Sequence, residues 1–321
     1  MSIPNKKPQP RLVPRPQTRD RQPAQASARR GTAAPPTVPG RWLLSAVGLT
    51  FVAAAFCAWG TLCLLFWQGS WQLLYHPAGV VARTPASLGV NFDPLRFAAT
   101  DAGVLRLDGW WIPAAPGARF SRFTVLYFHG RNGNMGDNVT ALARLHSAGV
   151  NVLAFDYRGY GKSVFARPSE TRWRQDAEWA LQYLTETRQM SPGATVLDGA
   201  GLGANLALEV AAAHPELAGV ILESPLPDPM KPVFSDPRAA LVPAHLLVRD
   251  RYGMNAPAAK LRIPSLWLCS FAGPGLGGNQ PAAYGNVAAP KMLVWLPASP
   301  AAEKDYQDAL ARWLDSLSHR E

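Results

Sequence analysis

The chain has 321 residues, 48% of them hydrophobic and 17% charged, enough apolar material for one large core or two smaller ones. Its formal net charge of +10 is concentrated at one end: residues 1–41 hold nine Lys and Arg against one acid, Asp20, leaving the rest nearly neutral. That distribution argues against a nucleic-acid-binding face on the folded part, and three cysteines make no disulfide framework.

Residues 1–41 are rich in Pro, Gln, Ala and Ser with few large apolar side chains. Burial cannot offset their ordering entropy, so this basic tail is expected to be disordered. Residues 42–67 ("WLLSAVGLTFVAAAFCAWGTLCLLFW") carry no charge. From Leu43 they make a helix about 37 Å long at ~1.5 Å per residue, enough to cross a hydrocarbon layer of about 30 Å with tilt. Trp42, Trp67 and Trp71 fall where an interfacial aromatic belt would lie. The long basic head and long apolar run argue for an uncleaved transmembrane anchor rather than a signal peptide, so the lipid bilayer is the expected partner of residues 42–67. Nine cations precede the span and only Arg83 lies within the next twenty residues. The positive-inside rule then puts the N-terminus in the cytoplasm and the folded domain on the non-cytoplasmic side, the periplasm in a bacterium. Cys57 and Cys63 lie in the span and Cys269 in a strand-like run, all as packing residues.

Over residues 68–321, short apolar runs alternate with helical periods. Residues 97–113 hold two strand-like runs around Asp-Ala-Gly, the pattern of a hairpin. Strands are predicted at 123–130, 150–157, 194–199, 218–224, 264–270 and 291–297. Helices are predicted at 138–148, 169–188, 204–213 and 303–318, the last with Tyr306, Leu310, Trp313 and Leu317 on one face. This order gives an α/β fold: a mainly parallel sheet with helices on both faces and an antiparallel edge. Residues 225–261, with seven prolines and no strong period, read as a small cap inserted after the sixth strand.

The stretch "VLDGAGLGANLAL" (196–208) reads as strand, tight glycine turn and helix. Gly199, Gly201 and Gly203 have the spacing of a G-x-S-x-G nucleophile elbow, a strained turn that lifts a serine above a parallel sheet. Gly201 stands where the serine would be.

The chain resembles the alpha/beta-hydrolase superfamily, and within it the membrane-anchored Bem46-like branch, over roughly residues 72–318. The likeness rests on "LLYHP", "LDGWWIPA", "LYFHGRNGN", "VLAFDYRGYGKS", "DAEWALQYL", "VILESP" and "LVRDRY" in that order. The resemblance implies a loop at His129 and Gly130 shaping an oxyanion hole, with one backbone N–H from Arg131 and the second from Leu202. His129 then shapes the loop rather than acting as a base. The same resemblance puts Gly201 at the nucleophile position, Gly273 at the acid position and Ala301 at the histidine position, so the triad is degenerate at all three. Asp198, ending a strand and capping the turn, and Ser224, a pocket-wall hydroxyl, are the nearest substitutes, and neither has a matched base.

Two readings follow. One is a membrane-anchored pseudo-hydrolase that binds an unidentified small molecule or protein at its pocket. The other is an active hydrolase of esters or acyl groups with an unrecognised nucleophile. No cofactor, metal or nucleic acid is expected in either.

Overall fold

A computed structural model describes residues 39–270, 280–297 and 301–318, with the backbone only at Ala301. The basic tail at residues 1–38 lies outside them. The chain divides into two compact units, Met1–Ala53 and Ala54–Glu321. The described part of the first holds the opening turns of the apolar helix α1 (Gly40–Gly69). With a mean hydropathy of 2.1 in its most apolar window, α1 is long and apolar enough to cross a membrane.

The second unit is built from β1 (His76–Pro77), β2 (Asp93–Ala99), β3 (Leu105–Ile112), β4 (Thr124–Phe128), β5 (Asn132–Gly133), α2 (Val139–Ser147), β6 (Asn151–Phe155), α3 (Glu170–Gln182), β7 (Thr195–Ala200), α4 (Leu202–Ala213) and β8 (Gly219–Glu223). There follow α5 (Lys231–Phe234), α6 (Ala244–Leu247), α7 (Asn255–Lys260), β9 (Ser265–Ser270), α8 (Ala282–Asn286), β10 (Lys291–Leu296) and α9 (Ala301–Ser318). Eight strands form one sheet in the order β10-β9-β8-β7-β4-β6-β3-β2. The first six in that order are mutually parallel, and β3 and β2 close the edge antiparallel.

The central strands are apolar on both sides because both faces are covered. On one face Leu126, Leu197 and Leu222 pack with α3, α4 and the cap. On the other, Val125, Val196 and Ile221 pack with α2 and α9, where Tyr306, Leu310, Trp313 and Leu317 are buried as the helical period requires. The hairpin at the edge turns through Gly103 at φ 77°, and its first strand begins at Asp93, four residues before the apolar run. Helix α3 ends at Gln182 and runs into a wider π-type turn over Tyr183–Thr187, where one unbroken helix was expected. Helix α4 starts at Leu202, two residues earlier than expected, because the turn consumes only Gly201.

Between β8 and β9 the prolines break the chain into α5, a 3-10 turn at Pro237–Leu241, α6 and α7. This cap meets the foot of α1, where the Trp59 indole N–H donates to the Leu241 carbonyl at 3.0 Å. Phe66, near the end of α1, is 5% exposed and belongs to the core on the cap side of the sheet.

Candidate functional site

Strand β7 delivers the glycine turn to the carboxyl edge of the sheet, and the backbone there has the shape of an elbow. Gly201 sits at φ 57° and ψ −117°, between the end of β7 and the first residue of α4. Its amide donates to the Glu223 carbonyl at 2.8 Å, tying the turn to β8, and its own carbonyl accepts from Ala204 N at 3.1 Å. The flanking glycines are needed for a different reason: a Cβ on Gly203 would lie 2.2 Å from the Phe128 carbonyl oxygen. A Cβ on Gly201 would meet nothing within 4 Å, so the space above the turn is open.

The loop after β4 carries His129, Gly130 and Arg131. It is held by the β1–β5 pairing, in which His76 lies opposite Asn132, so two of the stretches that carry the resemblance bond to each other. The Arg131 carbonyl accepts from His76 N at 3.0 Å and from the Tyr160 hydroxyl at 2.9 Å. Neither the Arg131 nor the Leu202 amide has an acceptor among the described residues. Leu202 opens α4, where the first amides have no partner within the helix.

His129 is fully buried. Its Nδ1 donates to the Gly130 carbonyl at 2.8 Å, its Nε2 lies 3.4 Å from Asp156 Oδ1, and its ring packs 4.6 Å from Tyr157 and 5.2 Å from Tyr160. The ring is enclosed by Tyr157 and Tyr160 from the segment after β6, which gives His129 a packing role under the loop.

The remaining predicted positions are scattered. Gly273 lies outside the described residues. Ala301 is the first residue of α9. Ser224 follows β8 at φ 46°, with its amide on the Leu268 carbonyl at 2.7 Å. A hollow of about 710 Å³ between the loop after β4 and the first turn of the cap is lined by Arg131, Leu226, Asp228 and Lys231, with two prolines and Ser235. Of the five residues expected around a pocket, Arg131 lines this one; His129, Gly130, Leu202 and Ser224 do not, because the cap's first turn forms its walls.

Asp198 does not end its strand or cap the turn as the sequence suggested. It lies within β7, opposite Tyr127 and Ile221, fully buried on the α2/α9 face, and neither carboxylate oxygen has a hydrogen-bond partner among the described residues. Sequence reasoning missed the polar cluster around it. Arg144 Nη2 from α2 lies 2.9 Å from both Glu223 carboxylate oxygens, and the Arg144 guanidinium stacks 3.6 Å from the centre of the Tyr306 ring. Burial, reinforced by repulsion from Glu223, pushes the Asp198 carboxyl well above the usual range against the opposing pull of Arg144. Burial opposes the charge on Arg144, yet Glu223 and its neighbours hold the guanidinium above its ordinary value. An Arg144–Glu223 ion pair and a carboxyl biased toward its protonated form therefore share the α2/α9 side of the sheet. The sequence signal was a carboxylate inside each of two apolar strand runs, "VLDG" and "VILES".

The comparisons agree with this geometry. Residues 121–267 match the family model described as serine aminopeptidase, S33. Rv2307c of Mycobacterium tuberculosis is 33% identical over 163 residues, 50% of this chain and 56% of that protein. Protein bem46 of Schizosaccharomyces pombe is 32% identical over 143 residues, 44% of this chain and 46% of that protein. The chain spans about half the length of the curated relatives it matches. Among solved structures, the Pyrococcus furiosus esterase Pf2001 aligns with a TM-score of 0.56 at 18% identity, covering 76% of this chain and 98% of that one. The Butyrivibrio proteoclasticus Est1E, solved with ferulic acid bound, aligns with a TM-score of 0.55 at 15% identity, covering 70% of this chain and 100% of that one. With the sheet order and the elbow already described, the chain has an alpha/beta-hydrolase fold and is similar in sequence to bem46 and its bacterial relatives.

Proposed function

We propose that this is a membrane-anchored alpha/beta-hydrolase-fold protein that has lost serine-hydrolase turnover and retains ligand binding at the elbow. The observation that carries the reading is Gly201: the backbone keeps the elbow's conformation while the position offers no atom with which to attack. The two substitutes are poorly suited. Asp198 is sealed on the far side of its strand, and Ser224 lines no part of the Arg131 hollow. In hydrolases of this kind, removing the triad costs on the order of a million-fold in turnover, leaving binding and oxyanion contacts.

What remains suits a carbonyl-bearing ligand, such as an ester or acyl compound. The Arg131 and Leu202 amides are free to donate to a carbonyl oxygen, and Arg131 and Lys231, against the one carboxylate of Asp228, leave the hollow a net positive lining for a negatively charged substituent. The anchor is supported by the uncharged length of α1 and by its exposed apolar side chains, among them Leu44 at 75% and Phe51 at 73%. The test is to treat the full chain with a fluorophosphonate probe and with short acyl esters. The expected result is no labelling and no hydrolysis above a heat-killed control, whereas stoichiometric labelling of any serine overturns the reading and identifies the nucleophile.

A further inference from the structure

A second hollow, of about 350 Å³, opens at the foot of α1, on the cap side of the domain. Its walls combine two chemistries. Trp67, Trp71, Leu74, Met230 and Val248 make one part apolar, and Arg167, Arg172 and Arg249 bring three guanidinium groups against one carboxylate, Asp250. That carboxylate is engaged, its Oδ2 accepting the Tyr75 hydroxyl at 2.6 Å. Arg167 is fixed to the helix itself: its Nη2 donates to the Trp67 carbonyl at 2.5 Å, and its guanidinium lies 5.6 Å from the centre of the Trp67 ring. Arg172 Nη1 donates to the Arg167 carbonyl at 2.6 Å. Arg249 is exposed and has neither a hydrogen-bond nor an ion-pair partner among the described residues.

The position of this hollow along α1 matters as much as its charge. The uncharged stretch of the helix ends at Trp67, and the first cations packed against the helix there are those of the hollow. Two turns before that point, at Trp59, the cap carbonyl of Leu241 meets the helix. The cap segment that includes Leu241 bares apolar side chains beside His245, with Leu241 61% and Leu246 81% exposed. Moving along the helix toward the domain, the surface therefore passes from exposed leucines to tryptophan and then to arginine. That is the gradient of a bilayer from acyl chains to headgroups.

We infer that the Trp67–Arg167–Arg249 hollow is a binding site for the phosphate of an anionic phospholipid, with the start of the acyl chains lying along Trp71 and the exposed cap leucines. The inference rests on the membrane-anchor reading of α1 and is independent of whether the elbow turns over substrate. Guanidinium groups match phosphate oxygens in planar, paired hydrogen bonds. Net positive charge beside an apolar wall selects a lipid over a soluble anion, because only the lipid fills both.

The test uses delipidated full-length protein in detergent, offered equal amounts of dioleoyl phosphatidylglycerol and dioleoyl phosphatidylcholine and read by native mass spectrometry. The expected result is a one-to-one adduct favouring phosphatidylglycerol by at least about fivefold, the order set by a single basic residue at an anionic surface. Arg249→Gln lowers that preference without touching the fold, since the native side chain has no partner to lose, and Arg167→Gln lowers it further. Equal retention of the two lipids overturns the assignment, as does a preference that survives both substitutions. Displacement of bound phosphatidylglycerol by millimolar inorganic phosphate also overturns it, in favour of a soluble anion. Release of the chain from membranes by alkaline carbonate counts against the anchor alone, because the detergent measurement needs no bilayer.

Discussion

The amide of Gly201 donates to the carbonyl of Glu223 at 2.8 Å, while the side chain of Glu223 reaches to the other side of the strand and holds Arg144. One residue of β8 thus fixes the elbow through its backbone and a half-buried ion pair through its carboxylate. The turn stays anchored although it has no nucleophile to present.

Serine at position 201 is expected to destabilise the protein. Space is not the obstacle, since a Cβ there meets nothing within 4 Å, but φ 57° with ψ −117° strains any residue that carries one. Gly201→Ser should lower the unfolding free energy by about 1 kcal/mol, the low end for a strained backbone position. Denaturant titration of both forms checks this, and an equal or more stable serine form would show the turn to be unstrained. No esterase activity should accompany the change.

Gly203→Ala acts through crowding instead. The added methyl would lie 2.2 Å from the Phe128 carbonyl oxygen and 2.6 Å from that of His129, both backbone atoms that cannot move aside cheaply. A loss of about 3 kcal/mol is expected, at the upper end for overpacking. A melting temperature unchanged from wild type would contradict the close packing of α4 on β4.

Asp198 gives the protein a pH-dependent stability with an unusual sign. An acid whose pKa is raised on folding holds its proton more tightly when folded, so stability is greatest at low pH and falls as pH rises from the unfolded value of about 3.9. Asp198→Asn keeps the shape of the neutral acid without the ionisation. Its unfolding free energy should therefore exceed that of wild type by a margin that grows from about pH 4 to pH 7. A margin that stays constant or shrinks over that range would mean that Asp198 is ionised in the fold.

Arg144→Ala should be costly, because it leaves Glu223 half-buried with no cation. A loss of about 3 kcal/mol is expected for breaking such a pair by removing one partner. Replacing both residues with apolar ones of similar size should recover much of it. If the double variant is no better than the single one, the pair is not the source of the loss.

Topology can be read with a reporter fused after Glu321. The nine cations before the span predict activity only on the non-cytoplasmic side. An active cytoplasmic fusion would reverse the orientation.

Much of this architecture was legible in the chain. Period-two and continuous apolar runs located the strands of the main sheet, and the prolines of residues 225–261 marked the cap, because both signals arise from local backbone preference and burial. The elbow was legible from three glycines. Asp198 was misread because a carboxylate beside a glycine turn usually caps it; here β7 continues two residues further, and the alternation of the strand turns the side chain inward. The Arg144–Glu223–Tyr306 contacts were invisible for another reason. They join three elements up to 162 positions apart, and no local pattern records which helix will cross which strand.

The burial of Phe66 sets where this protein can be cut. With Phe66 at 5% exposure and Leu62 and Cys63 packed against the same core, the last turns of α1 are as much part of the α/β domain as any strand. A soluble version begun at Trp71 would remove the phenyl ring and open the core to water on the cap side, a loss on the order of 3 kcal/mol for a buried phenylalanine. Severing the chain upstream, before the Trp59 bond to Leu241, would keep the domain whole but leave an apolar stump in solution. The apolar helix and the hydrolase-fold body overlap by about three turns of helix, and no proteolytic cut separates them cleanly.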